Sequence, residues 1–424
     1  MKLPFSVEKV IKKIMDAGGQ AFLVGGALRD WLLGIDVVDY DIATSFTPEQ
    51  VERIFADEKT WPSGKRFGTI TVEIGGIPIE ITTFRSESNY TDNRHPDKIT
   101  FISDIRKDLS RRDFTVNAMA YNPYLSQCLV DPFDGKKDLQ QNILRAVGNP
   151  VERFAEDPLR IMRGIRLAAQ LDFEIEENTK SAMKVCCPML SNVSAERIKS
   201  ELDRLLLSNN PDKGMLLLHE IEIIPLLFGI DKKKIFNAEY YKIIKNMEPC
   251  LAYRLSAMFS ILYSEDSFNA VRLDNIKNKL IQLKYDRITT RNTIKLLAGY
   301  ARLSGMDITP FSIREFLGSM GIEETKQCIK WYYEICKISK DPFICDRVKQ
   351  AADLVKDITR RNEPVFFHQL AINGNDVKLA GIGQNDPRII GEALNLAYRW
   401  VLEDPARNNT DCLIAMLKKH FSLT

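Results

Sequence analysis

The sequence predicts an α+β protein in which a mixed or antiparallel sheet near the N-terminus is followed by a long helical region. Short, apolar, β-rich runs cover Ala21–Val24 and Val38–Ile42, and a glycine pair divides the segment 67–85 into a β-hairpin. Helices are predicted over 151–171 and 194–206, and from about residue 210 to residue 340 apolar residues recur at helical spacing in one segment after another. A chain of 424 residues is long enough for two to four domains with their own cores.

Composition and charge exclude several classes of protein. The chain is 45% hydrophobic and 27% charged, which is typical of a soluble protein, and its net charge of +2 predicts that any surface for RNA is local. The first eighteen residues predict an amphipathic helix rather than a signal peptide, and no apolar run approaches membrane-spanning length. We therefore expect a cytoplasmic protein without membrane contact, and no feature predicts a stable protein partner.

The cysteines and histidines give no sign of a zinc site. Eight cysteines are scattered without CxxC spacing, which predicts reduced thiols and no disulfide framework. The four histidines form no HD pair, so a histidine-based phosphohydrolase is excluded.

The stretch FLVGGALRDWLLGIDVVDYDIAT at residues 22–44 carries the main chemical signal. It predicts a buried strand, a turn at Gly25 and Gly26, a helix over 27–33, and a second strand that carries Asp39 and Asp41. Two carboxylates on one strand face repel unless a cation lies between them, and a glycine turn can approach a phosphate closely. The pattern favours Mg²⁺ with a triphosphate, although paired aspartates at a strand end are also common as solvated loop acids.

GGALRDWLLG followed by DYDIAT resembles the first motif of the nucleotidyltransferase superfamily. The similarity is to class II tRNA nucleotidyltransferases (CCA-adding enzymes) and bacterial poly(A) polymerases. It implies a polymerase β-like catalytic head in which Asp39 and Asp41 hold two Mg²⁺ ions. It also implies that Gly25, Gly26 and Arg29 bind the triphosphate.

Glu80 lies between two isoleucines in the second strand of the hairpin. An acid in such a strand faces either solvent or a cation, because burial without a partner is costly. The sequence leaves both possibilities open, and the resemblance assigns Glu80 to the metal site as the third carboxylate.

The polar segment 86–100 predicts a loop without a regular element. A surface loop is the common interpretation of such a segment. The resemblance adds that a loop of this character, echoed here by Tyr90, Asp92, Arg94 and Pro96, belongs to enzymes able to add the terminal adenosine.

The segment DLSRRDFTVNAMAYN at residues 108–122 predicts a helix that begins at Asp113, with Arg111 and Arg112 just before it. An arginine there is either a surface charge or a donor to phosphate or ribose oxygens. The segment resembles the second family motif, which implies that Arg112, rather than Arg111, contacts the nucleotide and that ribose is preferred.

The segment 151–171 predicts a helix whose Asp157, Arg160, Arg163 and Arg166 recur every three residues along one side. An exposed face with Asp157 paired to Arg160 is one interpretation. The resemblance to the EDxxR motif implies another, in which Asp157 and Arg160 read the base and Arg163 and Arg166 neutralise the triphosphate. An acceptor beside donors matches cytosine and adenine, whereas uracil and guanine present the opposite polarity.

Two later segments extend the resemblance. SAERIKSELDRLL, with Ser194 as N-cap, is similar to a structural motif in which Glu196 and Arg197 brace the neck. The tail segment 371–409 has glycines predicted to open helices at Gly374 and Gly381, and it resembles a C-terminal region that reaches the tRNA elbow.

The predicted organisation has four parts: a nucleotidyltransferase head (1–148), a neck that selects the base (149–208), a helical body (209–340) and a tRNA-binding tail (341–424). The resemblance implies addition of CCA, or part of it, to tRNA from CTP and ATP with release of pyrophosphate, the tRNA being held at its acceptor stem and elbow. The alternatives are an A-adding enzyme or poly(A) polymerase, and a non-catalytic RNA-binding protein on the same scaffold.

Overall fold

A computed structural model describes residues 3–62, 64–88, 98–230, 238–263, 270–383 and 386–422. The chain divides into two compact units, residues 1–234 and 235–424. In the described part of the chain, no helix is both long and apolar enough to cross a membrane.

The strands described in the structure all lie in the first unit. They are β1 (Ala21–Val24), β2 (Tyr40–Thr44), β3 (Lys59–Trp61), β4 (Thr69–Ile74), β5 (Ile77–Thr83), β6 (Arg85–Ser88), β7 (Lys98–Phe101), β8 (Ala120–Tyr121), β9 (Leu129–Val130), β10 (Ile143–Leu144) and β11 (Glu174–Ile175).

The helices described in the first unit precede, separate and follow these strands along the chain. They are α1 (Phe5–Asp16), α2 (Gly25–Leu33), α3 (Pro48–Ile54), α4 (Ile105–Ser110), α5 (Gly135–Gln140), α6 (Pro150–Glu156), α7 (Leu159–Leu171), α8 (Glu177–Cys186), α9 (Ala195–Leu206), α10 (Pro211–Glu220) and α11 (Ile223–Phe228).

The second unit is helical in its described residues. Its helices are α12 (Tyr241–Asn246), α13 (Leu251–Leu262), α14 (Ala270–Gln282), α15 (Arg287–Gly305), α16 (Pro310–Met320), α17 (Ile322–Ser339), α18 (Pro342–Arg360), α19 (Gly374–Leu379), α20 (Pro387–Glu403) and α21 (Thr410–His420).

Seven strands form one mixed sheet in the order β3-β4-β5-β2-β1-β8-β9. The β2–β5 pair is parallel and the other pairs in this sheet are antiparallel. The side chains of β1 are all buried, whereas buried and partly exposed residues alternate along β4. The side chains on both faces of β1 are therefore covered, whereas only one face of β4 packs against the core. The mixed sheet followed by helices confirms the predicted fold class.

Several predicted elements of the first unit need correction. The second strand begins at Tyr40 rather than Val38, so Asp39 precedes it, and α2 already begins at Gly25. The predicted loop 86–100 is wrong at both ends, because β6 and β7 pair as an antiparallel hairpin. The family-like residues Tyr90, Asp92, Arg94 and Pro96 lie outside the described residues.

Two predicted helices differ from the structure. The segment after Asp113 forms only a 3₁₀ turn, Thr115–Asn117, and then enters β8. The neck helix is broken into α6 and α7, because Asp157 has an extended backbone (φ −142°, ψ 97°) and the ring of Pro158 removes the donor needed to continue α6.

The other predicted helix starts are confirmed in part. Ser194 precedes α9 as expected, although its side chain makes no capping hydrogen bond. Asn373 caps α19 at Gly374 through its side chain, which confirms that start. Gly381 follows α19 with φ +87° and opens no helix, so that prediction is wrong.

The core of the second unit lies around α15, α16, α17 and α18, where Leu303, Phe316 and Val348 are buried together. Within it, Tyr300 stacks on Trp331 with ring centroids 4.2 Å apart. At the junction of α17 and α18, Cys336 and Cys345 form a disulfide, which contradicts the prediction of reduced thiols throughout. Two cysteines nine residues apart match no recognised sequence motif. The packing of α18 against α17 brings the two sulfurs together.

Candidate active site

The parallel pairing of β2 and β5 brings two acids together. Asp41 lies directly opposite Glu80 in the register, so both side chains lie on one face of the sheet. Their neighbours Ile42 and Ile81 are fully buried and fix the strands in the core. Asp39 is exposed, two residues before Asp41 and just outside the strand.

The glycine turn between β1 and α2 lies against this acidic face. Gly25 has φ +68°, and a Cβ there would lie 3.3 Å from Oδ2 of Asp41 and 3.2 Å from Nη1 of Arg112. Glycine therefore meets both a backbone requirement and a limit of space. The turn keeps bare backbone N–H groups beside the carboxylates, where a phosphate could bind.

The electrostatics of the acidic face favour a cation. The pKa of Asp41 is raised to about 6, mainly because the carboxylate is partly buried. Repulsion from Glu80 and Asp39 also raises this pKa, and the nearby guanidinium of Arg112 lowers it. Like charges held this close disfavour ionisation unless a cation joins them.

Two arginines approach the site from the end of α4. Asp108 is fully buried and accepts hydrogen bonds from Arg111 at 2.8 Å and Arg112 at 3.2 Å. Burial opposes ionisation of Asp108, but Arg112 and Arg111 outweigh it and lower its pKa. Nε of Arg112 is buried and makes no hydrogen bond to a described residue, so it remains a donor for a ligand.

The neck packs directly onto the head through Gly164 of α7. A Cβ at this position would lie 2.7 Å from the ring of Phe114 and 2.4 Å from Cε of Met183. Only a glycine lets α7 approach so closely. The helix therefore delivers Arg160 to the head, where Nη2 donates to the carbonyl of Arg111 at 3.1 Å.

A second link between neck and head is the ion pair of Arg163 with Asp113, at 2.8 Å. Asp113 is buried and also accepts hydrogen bonds from the Asn117 amide and the Phe114 N–H. Burial would raise its pKa, but Arg163, Asn117 and Arg160 more than compensate and hold the pKa at about 2.

Asp157 and Arg160 do not pair with each other in this structure. Oδ2 of Asp157 accepts from Arg197 of α9 at 2.9 Å, and Oδ1 accepts from the backbone N–H of Leu159 at 3.2 Å. Nη1 of Arg160 donates to Glu156 at 2.7 Å. The interpretation of Asp157 and Arg160 as a simple surface ion pair therefore does not describe the neck.

These elements enclose a cavity of about 590 Å³. Most of the predicted site residues line it: Gly25, Gly26, Asp41, Glu80, Arg112, Asp157, Arg160 and Arg163. The lining also includes Arg85 and Asn117, which the sequence did not single out.

Three predicted residues are absent from the lining. Arg29 is buried, where it donates to Asp30 and to Asn117, each at 2.8 Å. Arg166 pairs with Glu201 at 2.5 Å, and Asp39 lies outside the cavity. The nucleotide-binding and metal-binding roles of all the predicted site residues, these three included, stay predictions.

Asp108 was not singled out by the sequence, whereas Arg197 was expected to brace the neck and does contact it by pairing with Asp157. Asp108 lies three and four residues before Arg111 and Arg112, a spacing that indicates pairing on a helix. Arg197 is forty residues from Asp157, and no local pattern could have joined them.

The donor set fits Mg²⁺. Asp41 and Glu80 offer only oxygen ligands, and Mg²⁺ is commonly held by one or two carboxylates together with substrate phosphates. Among the described residues, no three acidic, histidine or cysteine side chains form a group that could hold a metal ion alone. The carboxylate pair would therefore need Asp39 or substrate oxygens to complete the shell.

Two family models match the first unit. Residues 21–145 match the poly A polymerase head domain, and residues 172–229 match a probable RNA and SrmB-binding site of polymerase A. Nucleotidyltransferases of the family that contains the poly A polymerase head domain generally use a divalent metal.

Full-length relatives are named CCA-adding enzymes. The protein of Ligilactobacillus salivarius is 34% identical, and that of Enterococcus faecalis 33% identical, each over 97% of this chain and 95% of the relative. The structure of the Bacillus stearothermophilus CCA-adding enzyme in complex with CTP aligns with 100% of this chain and 98% of its own, with 27% identity and a TM-score of 0.76. A Thermotoga maritima CCA-adding enzyme complexed with tRNA, 22% identical with a TM-score of 0.69, shares the fold.

Proposed function

Because the chain belongs to the CCA-adding enzyme family of nucleotidyltransferases, we propose that it adds C, C and A to tRNA 3′ ends from CTP and ATP and releases pyrophosphate. The observation that carries the proposal is the shared cavity. The Asp41–Glu80 pair and the Asp157/Arg160 pair line one space of about 590 Å³. A single bound nucleoside triphosphate could therefore meet both pairs.

In each cycle, the tRNA 3′-oxygen bonds to the α-phosphorus of the nucleotide, and the bond from that phosphorus to the β-phosphate oxygen breaks. Asp41 and Glu80, with Asp39 beside them, would hold a divalent metal. The metal would lower the pKa of the 3′-hydroxyl and stabilise the negative charge of the departing pyrophosphate. The backbone N–H groups at Gly25 and Gly26 lie where they can bind the triphosphate, and Arg112 has an unused buried donor nearby.

Base selection falls to the neck. Arg160 is held by Glu156 and by the carbonyl of Arg111, while its Nε makes no hydrogen bond to a described residue. Asp157 supplies carboxylate oxygen beside it. Cytosine and adenine both present an amine donor next to a ring nitrogen acceptor, which matches this pair, while uracil and guanine do not.

Single-turnover incorporation tests the assignment of the acids. We expect Asp41→Asn and Asp39→Ala to lower the rate of CMP incorporation by at least about a thousandfold, because the charge that holds the metal is lost. Affinity for tRNA should stay within about twofold of wild type. A variant at either acid that retains the wild-type rate would contradict its catalytic role.

A further inference from the structure

A cleft of about 480 Å³ lies between α14 and α15 in the second unit. One wall carries Lys277 and Ile281 of α14. The facing wall belongs to the first two turns of α15, and the lining there is Arg287, Thr290, Arg291 and Ile294, with Tyr285 between the helices. The cleft belongs wholly to the second unit, and the nucleotide cavity wholly to the first.

Three basic side chains border the cleft, and the rest of its wall is mostly apolar. Lys277, Arg287 and Arg291 are exposed, and none forms an ion pair with a carboxylate of the described residues. The adjoining acid is Asp286, whose carboxylate accepts the backbone N–H groups of Ile288 and Thr289 and so caps α15. These contacts engage Asp286 with its own helix, and the three cations remain available for an anion.

The same cleft contains a buried hydroxyl, that of Thr290. Thr290 is 7% exposed, and its Oγ1 makes no hydrogen bond within the described residues. A buried polar group left unpaired destabilises the fold, because it has given up its hydrogen bonds to water without replacing them. An acceptor oxygen brought by a ligand would satisfy it, and this need is independent of the surrounding charge.

We propose that this cleft binds a phosphate group, with Arg287, Arg291 and Lys277 as its cations and Thr290 as a hydroxyl donor. The aliphatic side chain of Ile281, 53% exposed, offers an apolar surface on which a ribose can pack. Two sources carry the same chemistry: a phosphodiester of an RNA backbone, and a free phosphate or nucleotide. The apolar wall favours a phosphate attached to a sugar.

The test uses the full-length chain and the double variant Arg287→Ala/Arg291→Ala. Its affinity for tRNA lacking CCA, measured at several salt concentrations, should fall about 5- to 20-fold near 0.1 M salt, and the slope of log affinity against log salt should shrink by about one. The matched control is Lys242→Ala/Lys326→Ala, which removes two cations that are paired with Glu239 and Glu323. The control should stay within about twofold of wild type.

Thr290→Val separates the hydroxyl from the charges because the two side chains have similar shape. We expect it to weaken phosphate binding about 2- to 5-fold. In the second arm, ³¹P NMR line broadening of inorganic phosphate is compared between wild type and the arginine double variant.

The two arms identify the source of the phosphate. Loss of tRNA affinity assigns the cleft to RNA, and unchanged tRNA affinity with lost phosphate broadening assigns it to a free phosphate. If neither measurement changes while circular dichroism shows intact folding, the proposal is overturned. Incorporation at saturating tRNA is read separately, so failure of the proposed enzymatic function would not be confused with failure of this site.

Discussion

At the scale of single residues, the candidate site depends on acids in opposite electrostatic situations. Asp41 lies near other acids, and its pKa is raised to about 6. Asp113 is buried, and the hydrogen-bond donors and arginines around it lower its pKa to about 2. The surroundings of Asp41 favour a bound cation and are compatible with a catalytic role. Asp113 instead has its partners within the protein and holds Arg163 in place.

Asp113 gives a prediction about stability and pH. Its folded pKa lies below the ordinary value of 3.8, so it stabilises the fold above about pH 4, and this contribution is lost as the pH falls toward 2. We expect Asp113→Asn to lower the free energy of unfolding by roughly 2 kcal/mol at pH 7, with the difference shrinking below pH 4. Urea denaturation at a series of pH values measures it. The exposed Asp57→Asn is the control, and an equal effect of both substitutions would contradict the prediction.

Asp41 gives a prediction about metal. A cation that binds only the folded state raises stability by about 1.4 kcal/mol when its concentration is ten times the dissociation constant. We expect Mg²⁺ to raise the melting temperature of wild type and of Asp57→Asn but not of Asp41→Asn. Differential scanning calorimetry with and without chelator measures this. The same Mg²⁺ response in all three proteins would place the metal elsewhere.

At the scale of elements, the break between α6 and α7 defines the neck. It leaves Asp157 with an extended backbone, and α9 supplies Arg197 to hold its carboxylate at 2.9 Å. Gly164 lets α7 approach Phe114, and Arg160 then contacts the backbone of Arg111. Asp157 and Arg160, the two residues proposed to select the base, are thus positioned by different elements.

This arrangement predicts that Arg197 contributes to base selection through Asp157. In Arg197→Met, the carboxylate loses a charge-assisted hydrogen bond and its fixed orientation. We expect UMP incorporation relative to CMP to rise about 3- to 10-fold, with a smaller loss in the CMP rate itself. The control is the exposed Arg204→Met on the same helix. Unchanged base preference in Arg197→Met would limit Arg197 to a structural role.

How much could be predicted from sequence also depends on scale. Ala21–Val24 and the hairpin at Gly75 and Gly76 were predicted because apolar runs and glycine turns are local signals. Pro158 indicates the first turn of a helix, and α7 does begin next to it, but the residues before Pro158 form a separate helix, α6, which the sequence did not distinguish from α7. Most of the candidate site followed from motifs, because its residues are carried on short segments.

The rest could not be predicted from local pattern. The Arg197–Asp157 contact and the Arg29–Asn117 contact join residues 40 and 88 positions apart, and tertiary packing alone brings them together. Arg29 was expected at the triphosphate because its motif position is next to the glycines, yet its guanidinium is occupied by Asp30 and Asn117.

At the scale of the whole molecule, the chain combines a unit that carries the candidate active site with a helical unit that has its own core. The Cys336–Cys345 disulfide lies in the second. Closing a loop of this size restricts the unfolded chain by about 2–3 kcal/mol in the loop-entropy account. The covalent link therefore contributes to the stability of the second unit, whereas the residues that line the candidate active site all belong to the first unit.

Reduction should therefore lower stability without changing catalysis. We expect dithiothreitol, or Cys345→Ser, to lower the melting temperature of the second unit by several degrees, with the CMP incorporation rate at saturating tRNA unchanged. Cys412→Ser, which removes an exposed free thiol, is the control. A melting temperature insensitive to reductant would show that the link contributes nothing to stability.

The central claim, that one cavity carries both the chemistry and the choice of base, is tested most directly by adding single labelled nucleotides to tRNAs that end at the discriminator base, at C and at CC. The account predicts CMP addition to the first two, AMP addition to the third, and negligible UMP or GMP addition throughout. Addition of AMP alone would indicate an A-adding enzyme or a poly(A) polymerase. No incorporation under any of these conditions would contradict the account.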